Sequence, residues 1–312
     1  MQPKLSVNIG KLRIKNPVMV ASGTFGYAEE FKDMVDLKNL GAIVTKTITL
    51  KPREGNLPPR TCETPAGMLN SVGLENPGIS KFLNQKLPLL EKIGPPVIVS
   101  IAAEDDPEEF IVLAEKLDKV SGVSAIELNI SCPNIKVKNS KGHKSAKLIS
   151  QDPDSTYDIV KAVRKVTSKV LITKLSPNVT SIVEIAQAAE DAGSDVLALI
   201  NTLTGLSIDI DGRCARLGGF TGGLSGPAIR PVAVRMVWEV YQKTKLPIIG
   251  MGGIIDAPSA LEFLIAGASA IAVGTANFIK PAVSEEIVAG VRKYLVEKKI
   301  KNIRNLVGSL KA

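Results

Sequence analysis

Short apolar runs alternate with longer stretches of mixed apolar and charged residues along the whole chain. Eight of these runs are mostly continuously apolar, which is typical of strands buried on both faces of a parallel sheet. They cover residues 18–21, 42–46, 97–101, 125–130, 170–174, 196–201, 247–250 and 270–274. The pattern therefore predicts eight buried strands.

The stretches between the runs have the pattern of amphipathic helices. They cover residues 107–120, 155–166, 181–192, 227–243 and 258–266. Two of them end in a glycine, Gly193 and Gly267, just before the next run, as helices commonly do. Strand and helix alternating in this way predict an α/β fold, a closed TIM (β/α)8 barrel rather than an open sheet.

The start of the chain predicts a β-hairpin. Residues 5–9 and 12–14 flank Gly10 and Lys11, a spacing that suits two short strands capping the barrel floor. The 312 residues contain no linker-like stretch, and one barrel commonly needs about 250 residues. We therefore expect a single domain over residues 1–312.

Composition narrows the class of protein. The sequence shows no signal peptide and no apolar run near the roughly 20 residues of a membrane helix, so we expect a cytoplasmic protein without membrane contact. Three cysteines and one histidine, His143, predict neither a disulfide framework nor a metal site. The net charge of +8 fits a lysine-rich surface or a nucleic-acid or acidic partner, and we favour the surface.

Polar residues follow most of the predicted strands, where active sites of such barrels lie. A lysine in the barrel mouth needs an anionic partner, which a phosphate, a reduced flavin or a carboxylate would supply. Glycines after the last two runs allow backbone N–H groups to approach a phosphate. The residues at these strand ends are Ser22, Lys46, Thr47, Asn129, Lys174, Asn201, Thr202, Gly252, Gly253, Gly274 and Thr275.

A cysteine and a set of asparagines add candidate chemistry. Cys132 follows the fourth run and could act as a base or nucleophile, whereas we expect Cys62 and Cys214 to be small buried hydrophobic residues. Asparagine offers donors and an acceptor, which suits a planar ring with alternating N–H and C=O groups. The asparagines in question are Asn70, Asn129, Asn134 and Asn201.

Four segments resemble the signatures of the dihydroorotate dehydrogenase family. They are Thr45-Lys46-Thr47, the stretch from Asn70 to Gly78, Asn129-Ile130-Ser131-Cys132-Pro133-Asn134, and Gly250-Met251-Gly252-Gly253-Ile254. The resemblance runs from about Leu5 to beyond Gly274. It implies FMN-dependent oxidation of dihydroorotate to orotate in pyrimidine biosynthesis.

The resemblance is strongest to class 1, whose members carry a cysteine base, and within it to the catalytic subunit of class 1B. It implies a homodimer and an iron–sulfur/FAD partner subunit that passes electrons to NAD, giving a heterotetramer. Because no cysteine cluster in this sequence could hold an iron–sulfur centre, any such centre would belong to the partner. The resemblance itself implies no nucleic-acid partner.

The family's residue roles carry over to matching positions. Cys132 would take a proton from C5 of dihydroorotate, Lys174 would stabilise the reduced flavin, and Lys46 would contact both flavin and substrate. The substrate would contact Lys46, Asn70, Ser71, Val72, Gly73, Leu74, Asn129, Asn134, Asn201 and Thr202. FMN would contact Ser22, Lys46, Thr47, Ser100, Asn129, Lys174, Ile200, Gly226, Gly252, Gly253, Gly274 and Thr275.

Residues 135–151 depart from the class 1B pattern. The segment is longer than expected and contains five lysines and His143, which suits a solvated basic loop, a lid over the substrate or a docking surface for a partner. This leaves the electron acceptor open among NAD, fumarate and a quinone.

Other functions are compatible with parts of the sequence. A tRNA-dihydrouridine synthase-like or dihydropyrimidine dehydrogenase-like enzyme would share the FMN barrel. A phosphate-binding isomerase or lyase would explain the glycines but not the segment from Asn129 to Asn134. A non-catalytic scaffold would not explain the polar strand ends.

Overall fold

The computed structural model describes residues 2–104, 106–131 and 148–311. Its strands are β1 (Val7–Ile9), β2 (Leu12–Ile14), β3 (Val18–Val20), β4 (Ala42–Val44), β5 (Thr61–Thr64), β6 (Gly67–Asn70), β7 (Val97–Ile101), β8 (Ala125–Leu128), β9 (Val170–Lys174), β10 (Val196–Leu199), β11 (Leu203–Leu206), β12 (Ile208–Asp209), β13 (Cys214–Ala215), β14 (Thr221–Ser225), β15 (Ile248–Gly250) and β16 (Ala270–Val273).

Eight parallel strands close into a barrel. Around the barrel their order is β3, β4, β7, β8, β9, β10, β15 and β16, and β16 pairs with β3 to complete the circle. Each predicted strand contains one of these strands, because a strand surrounded by helices buries both faces and is therefore continuously apolar. The predicted TIM barrel is confirmed.

Helices follow most of the barrel strands along the chain, and five of the described helices lie where the sequence predicts them. They are α1 (Gly78–Lys81), α2 (Leu87–Ile93), α3 (Glu108–Asp118), α4 (Pro153–Arg164), α5 (Ile182–Asp191), α6 (Arg230–Tyr241), α7 (Ala257–Ala266), α8 (Ala276–Ile279) and α9 (Val283–Glu297). Helix α4 begins at Pro153 because the Asp152 side chain caps it and accepts a 3.0 Å hydrogen bond from the Ser155 backbone N–H.

The predicted hairpin is formed by β1 and β2, which pair antiparallel. Its turn at Gly10 lies against Val170, Asp195 and Val196, at the N-terminal ends of β9 and β10. Ile9 and Ile14 are fully buried there. The hairpin thus covers the floor of the barrel, as expected.

An antiparallel sheet that the sequence pattern does not predict lies at the opposite end of the barrel. Strands β11, β14, β6 and β5 form it in that order, and β12 and β13 form a further pair. Strand β11 begins four residues after β10 ends, so the sheet lies on the C-terminal side of the barrel. These strands are partly exposed and rich in glycine and threonine, so they lack the apolar runs that revealed the barrel.

Buried apolar side chains form one continuous cluster inside the barrel and between barrel and helices. The single-domain organisation stays a prediction. Within the described ranges, no helix is both long enough and apolar enough to cross a membrane.

Candidate active site

A large cavity opens at the C-terminal ends of the barrel strands, where the sequence predicts the site. Its volume is about 1560 Å³, above the roughly 300–1,000 Å³ of most small-molecule sites. Residues from the barrel and from the antiparallel sheet both line it. The cavity has room for two ligands side by side.

Thr47 is at the centre of a hydrogen-bond chain on one side of the mouth. Its hydroxyl lies 3.0 Å from the Ser22 hydroxyl and 3.0 Å from the Ser100 hydroxyl. It also accepts a 3.1 Å hydrogen bond from the Asn129 amide. The contacts join residues at four neighbouring strands, which fixes the direction of each side chain.

The chain continues across the mouth. Ser131 donates a 2.9 Å hydrogen bond to Oδ1 of Asn129, and the Asn201 amide donates to the Ser131 hydroxyl. The carbonyl oxygen of the Asn201 side chain accepts a 2.8 Å hydrogen bond from the Thr202 N–H. Asn129 and Ser131 are buried, and Asn201 is half-buried. The result is a preorganised row of polar groups that can recognise a ring with N–H and C=O edges.

Lys174 lies at the end of β9 and is only 5% exposed, yet it lines the cavity. Its Nζ lies 3.9 Å from Oε1 of Glu127, which is 1% exposed on the neighbouring strand β8. Its ammonium group can therefore face a ligand that carries or acquires negative charge.

Lys46 lines another side of the cavity and is more exposed. Its Nζ lies 3.9 Å from the Glu75 carboxylate, which also accepts a 2.8 Å hydrogen bond from Arg60. Because Arg60 already binds that carboxylate at the shorter distance, Lys46 keeps donors for a substrate carboxylate.

The residues after β6 form a tight loop in the cavity wall. Gly73 and Leu74 both have positive φ angles, 77° and 57°. Asn56 holds the loop, since its backbone N–H donates to the Val72 carbonyl and its amide donates to the Ser71 carbonyl, each at 3.0 Å. The Asn70 amide donates to the carbonyl of Gly223 on β14 at 3.3 Å, which ties the loop to the antiparallel sheet.

Three glycines with positive φ form another part of the lining. Gly252 and Gly253 follow β15, with φ of 123° and 78°, and Gly226 follows β14 with φ of 98°. A Cβ on Gly253 would lie 2.9 Å from the Gly226 carbonyl, so the two backbones approach closely. Nearby, the Thr275 hydroxyl donates a 2.8 Å hydrogen bond to Ser225. Such a cluster leaves backbone N–H groups accessible to a phosphate.

Most of the predicted site residues line this one cavity. They are Ser22, Lys46, Thr47, Asn70, Ser71, Val72, Gly73, Leu74, Asn129, Lys174, Ile200, Asn201, Thr202, Gly226, Gly252, Gly253, Gly274 and Thr275. Ser100 does not line it, but lies behind Thr47 as a fully buried hydrogen-bond partner. Cys132 and Asn134 lie outside the described residues, as do residues 135–147 of the lysine-rich loop. The roles assigned to all these residues stay predictions.

Some residues of the site were not singled out from the sequence. Ser131 lines the cavity but was not assigned a role, because attention fell on the neighbouring Cys132. Gln151 and Asn178 line the cavity from outside the barrel strands. Glu127 could have been noticed as a charged residue within an apolar strand. The expectation that Cys62 and Cys214 are buried is wrong: Cys214 is exposed, and Cys62 is half-buried in the cavity wall.

Tyr27 is not an acid–base candidate. Burial, followed by the nearby carboxylates of Glu30 and Glu75, raises the pKa of its hydroxyl above the ordinary value. The phenol therefore stays neutral at physiological pH, and it does not line the cavity.

Comparisons with known proteins find a matching family and relatives that are similar over their full length. The family model for dihydroorotate dehydrogenase matches residues 4–295. Two similar proteins, from Trichlorobacter lovleyi and Geotalea uraniireducens, are 51% and 50% identical, over 99% of both this chain and theirs. A third, from Geobacter sulfurreducens, is 49% identical over the same shares. All three bear the name dihydroorotate dehydrogenase B (NAD(+)), catalytic subunit.

Proposed function

Because the chain belongs to the dihydroorotate dehydrogenase family, we propose that its cavity binds FMN beside dihydroorotate and that it is the catalytic subunit of an NAD-linked enzyme. The chain is an oxidoreductase that converts dihydroorotate to orotate in pyrimidine biosynthesis. The observation that carries the proposal is the cavity itself, which combines a glycine cluster, a buried lysine and a row of amide and hydroxyl groups.

The residues of the cavity fit FMN. Gly226, Gly252 and Gly253 form a cradle that suits a phosphate, because each has a positive φ and a Cβ on any of them would meet neighbouring atoms within 3 Å. Lys174 offers an ammonium group where a reduced flavin ring would carry negative charge. When bound, FMN supplies the acceptor for the hydride that leaves C6 of dihydroorotate.

The polar row would bind and orient the substrate. Asn129 and Asn201 are fixed by their mutual contacts with Ser131, so their free donors and acceptors are directed before a ligand arrives. Asn70 and Asn134 would complete the contacts to the ring, and Lys46 would bind the substrate carboxylate. Holding the ring in one orientation determines which C5 proton faces the catalytic base.

We assign the base to Cys132, which follows Ser131 directly in the sequence. A cysteine thiolate accepts the C5 proton, and an electropositive surrounding favours that thiolate over the thiol. Lys46 and Lys174 both line the cavity and supply positive charge. The charge would stabilise the thiolate as well as the ligands.

The proposal also includes an electron-transfer partner subunit and NAD as the final electron acceptor. The name shared by the relatives, catalytic subunit of an NAD(+) enzyme, supports a separate electron-transfer subunit. We propose that this subunit carries the iron–sulfur and FAD groups and joins a dimer of this chain in a cytoplasmic heterotetramer. The resemblance to class 1B enzymes supports this arrangement.

An anaerobic titration tests the core of the proposal. Purified protein is mixed with dihydroorotate while the absorbance of oxidised flavin is followed. We expect one bound FMN per chain to bleach, and reduced protein to pass electrons to NAD only after the partner subunit is added. A yellow protein that does not bleach would contradict the substrate assignment, and a protein that cannot bind FMN would contradict the cofactor assignment. If fumarate reoxidised the reduced flavin directly, fumarate rather than NAD would be the electron acceptor.

The variant Cys132→Ala tests the base. It should retain FMN but slow flavin reduction by about two to four orders of magnitude, the usual effect of losing a general base. Cys62→Ala is the control, since that thiol lies in the cavity wall but has no assigned role. Equal rates for the wild type and the Cys132 variant would remove Cys132 from the mechanism.

A further inference from the structure

Two oppositely charged side chains lie side by side within an otherwise uncharged barrel. In the eight described barrel strands, Glu127 and Lys174 are the only ionisable residues. Glu127 is 1% exposed and Lys174 is 5% exposed. Oε1 of Glu127 and Nζ of Lys174 are 3.9 Å apart.

The strand register explains why the two side chains meet. Glu127 on β8 pairs with Ile172 on β9, and Lys174 follows Ile172 by two residues. Side chains two residues apart in a strand point to the same face, so Glu127 and Lys174 share one face of the sheet. Lys174 lines the cavity and Glu127 does not, so the carboxylate lies behind the ammonium group as seen from a ligand.

Within the described part of the chain, no third charged group forms an ion pair with either member of the pair. Of the described residues, only Glu127 forms an ion pair with Lys174, and Oε1 of Glu127 has no hydrogen-bond partner among them. The neighbouring strands β7 and β10 contribute no ionisable side chain. Elsewhere in the cavity wall the described titratable groups are Lys46, Cys62 and Glu63, and Lys46 is paired with Glu75. Cys132, five residues after Glu127, lies outside the described part of the chain.

We propose that Glu127 is a positioning residue that keeps Lys174 protonated and directed at the bound flavin. A buried ammonium group without a counter-ion is costly and releases its proton readily. The carboxylate behind it removes that tendency and leaves the ammonium donors free on the cavity side. This role rests on the proposed function, in which FMN is the group that Lys174 faces.

The test measures FMN dissociation constants of flavin-free protein between pH 6 and 9, with oxidised FMN and with FMN reduced under anaerobic conditions. The dissociation constant of Glu127→Gln, divided by that of the wild type, should rise about tenfold from pH 6 to 9, because a buried ammonium group without its counter-ion releases a proton more readily. The rise should be clearest for reduced FMN. Glu127→Asp keeps the charge and should keep the wild-type profile.

The dependence on Lys174 separates this role from a merely structural one. Adding Glu127→Gln to Lys174→Met should leave the pH profile of the Lys174→Met variant unchanged, because the titrating group is gone. A Glu127→Gln profile parallel to that of the wild type would overturn the proposal. So would a pH-dependent effect that persists beside Lys174→Met.

Folding and cofactor outcomes remain distinguishable. If Glu127→Gln alone does not fold, the double variant should fold, because it removes both charges; failure of both would overturn the pairing. If wild-type protein binds no FMN at any pH, the proposed cofactor fails. The melting temperature of flavin-free protein then still tests the pair. The melting temperature of Glu127→Gln should lie further below that of the wild type at pH 6, where solution conditions favour the unpaired ammonium form of Lys174, than at pH 9.

Discussion

The hydroxyl of Thr47 holds together the polar row of the cavity. A hydroxyl has one proton to donate and two lone pairs, so Thr47 can serve its three neighbours at once. Ser22, Ser100 and Asn129 all lie within 3.1 Å of it, and the Asn129 carbonyl is consequently free to accept from Ser131. One buried atom thus sets the direction of groups on neighbouring strands.

Replacing Thr47 with valine should therefore impair the site more than the fold. Three hydrogen bonds are lost in a buried place, which predicts a loss of about 1–3 kcal/mol in the free energy of unfolding. Because Asn129 loses its anchor, kcat for dihydroorotate oxidation should fall at least about tenfold. Urea unfolding and steady-state kinetics measure the two effects.

Thr173→Val is the matched control for that variant. The Thr173 hydroxyl is also fully buried and lies 2.9 Å from the Ser194 hydroxyl, but Thr173 does not line the cavity. Because the Thr173 side chain has one such partner where Thr47 has three, Thr173→Val should lose less stability, and it should keep its kcat. Equal losses of kcat in both variants would mean that Thr47 acts through stability alone.

Residues at strand ends could be predicted from the sequence, whereas pairs of residues inside neighbouring strands could not. Thr47, Asn129 and Asn201 lie within three residues of the ends of β4, β8 and β10, so the barrel geometry alone brings them to one mouth. Glu127 lies inside a run, and its partner Lys174 is 47 residues further along the chain, so only the register of β8 and β9 reveals the pair. Asn56 was missed because its contribution is to hold the backbone of another loop.

Among the strands and helices, burial decided which ones the sequence could predict. Barrel strands are apolar on both faces and the helices between them are amphipathic, so both have strong periodic signals. Strand β14, Thr221–Ser225, contains two glycines and is half-exposed, so it has neither signal. It forms part of the sheet only because β6 and β11 lie on either side of it, which is a long-range contact.

The glycine cluster makes a prediction about loops. Gly253→Ala should lower FMN affinity by about tenfold or more, because a Cβ there would lie 2.6 Å from Cβ of Arg230 and 2.9 Å from the Gly226 carbonyl. The φ of 78° also disfavours any residue but glycine. Fluorescence titration of flavin-free protein with FMN measures the effect.

Gly94→Ala is the control that distinguishes an effect on the FMN site from an effect of backbone conformation alone. Gly94 ends α2 with a φ of 103°, yet a Cβ on it would meet no atom within 4 Å. This variant should lose about 1 kcal/mol of stability from its backbone conformation and bind FMN as the wild type does. If both variants bound FMN normally, the glycine cluster would not be the phosphate site.

The two ends of the barrel have different roles: contacts at the floor stabilise the fold, and the cavity at the mouth binds the ligands. At the floor, Asp118 at the end of α3 accepts hydrogen bonds from the Ser168 N–H at 2.7 Å and the Thr167 hydroxyl at 2.8 Å, just before β9 begins. These hydrogen bonds lower the pKa of Asp118 below its ordinary value of 3.8, and the bond from the Ser168 backbone N–H has the largest effect. Lys174 lies at the other end of the same strand.

Asp118→Asn should consequently affect stability with a distinctive pH dependence and leave the chemistry unchanged. Because folding lowers the pKa, the carboxylate stabilises the protein above the unfolded value of 3.8, and this contribution is lost as the pH falls through the folded pKa. The variant should melt about 1–3 °C lower at pH 7, a small effect since Asp118 is only half-buried, and the difference should narrow below about pH 4. Flavin reduction by dihydroorotate should match the wild-type rate. A constant difference in melting temperature across this pH range would mean that the charge of Asp118 contributes nothing, and a slower reduction would mean that floor and mouth are coupled through β9.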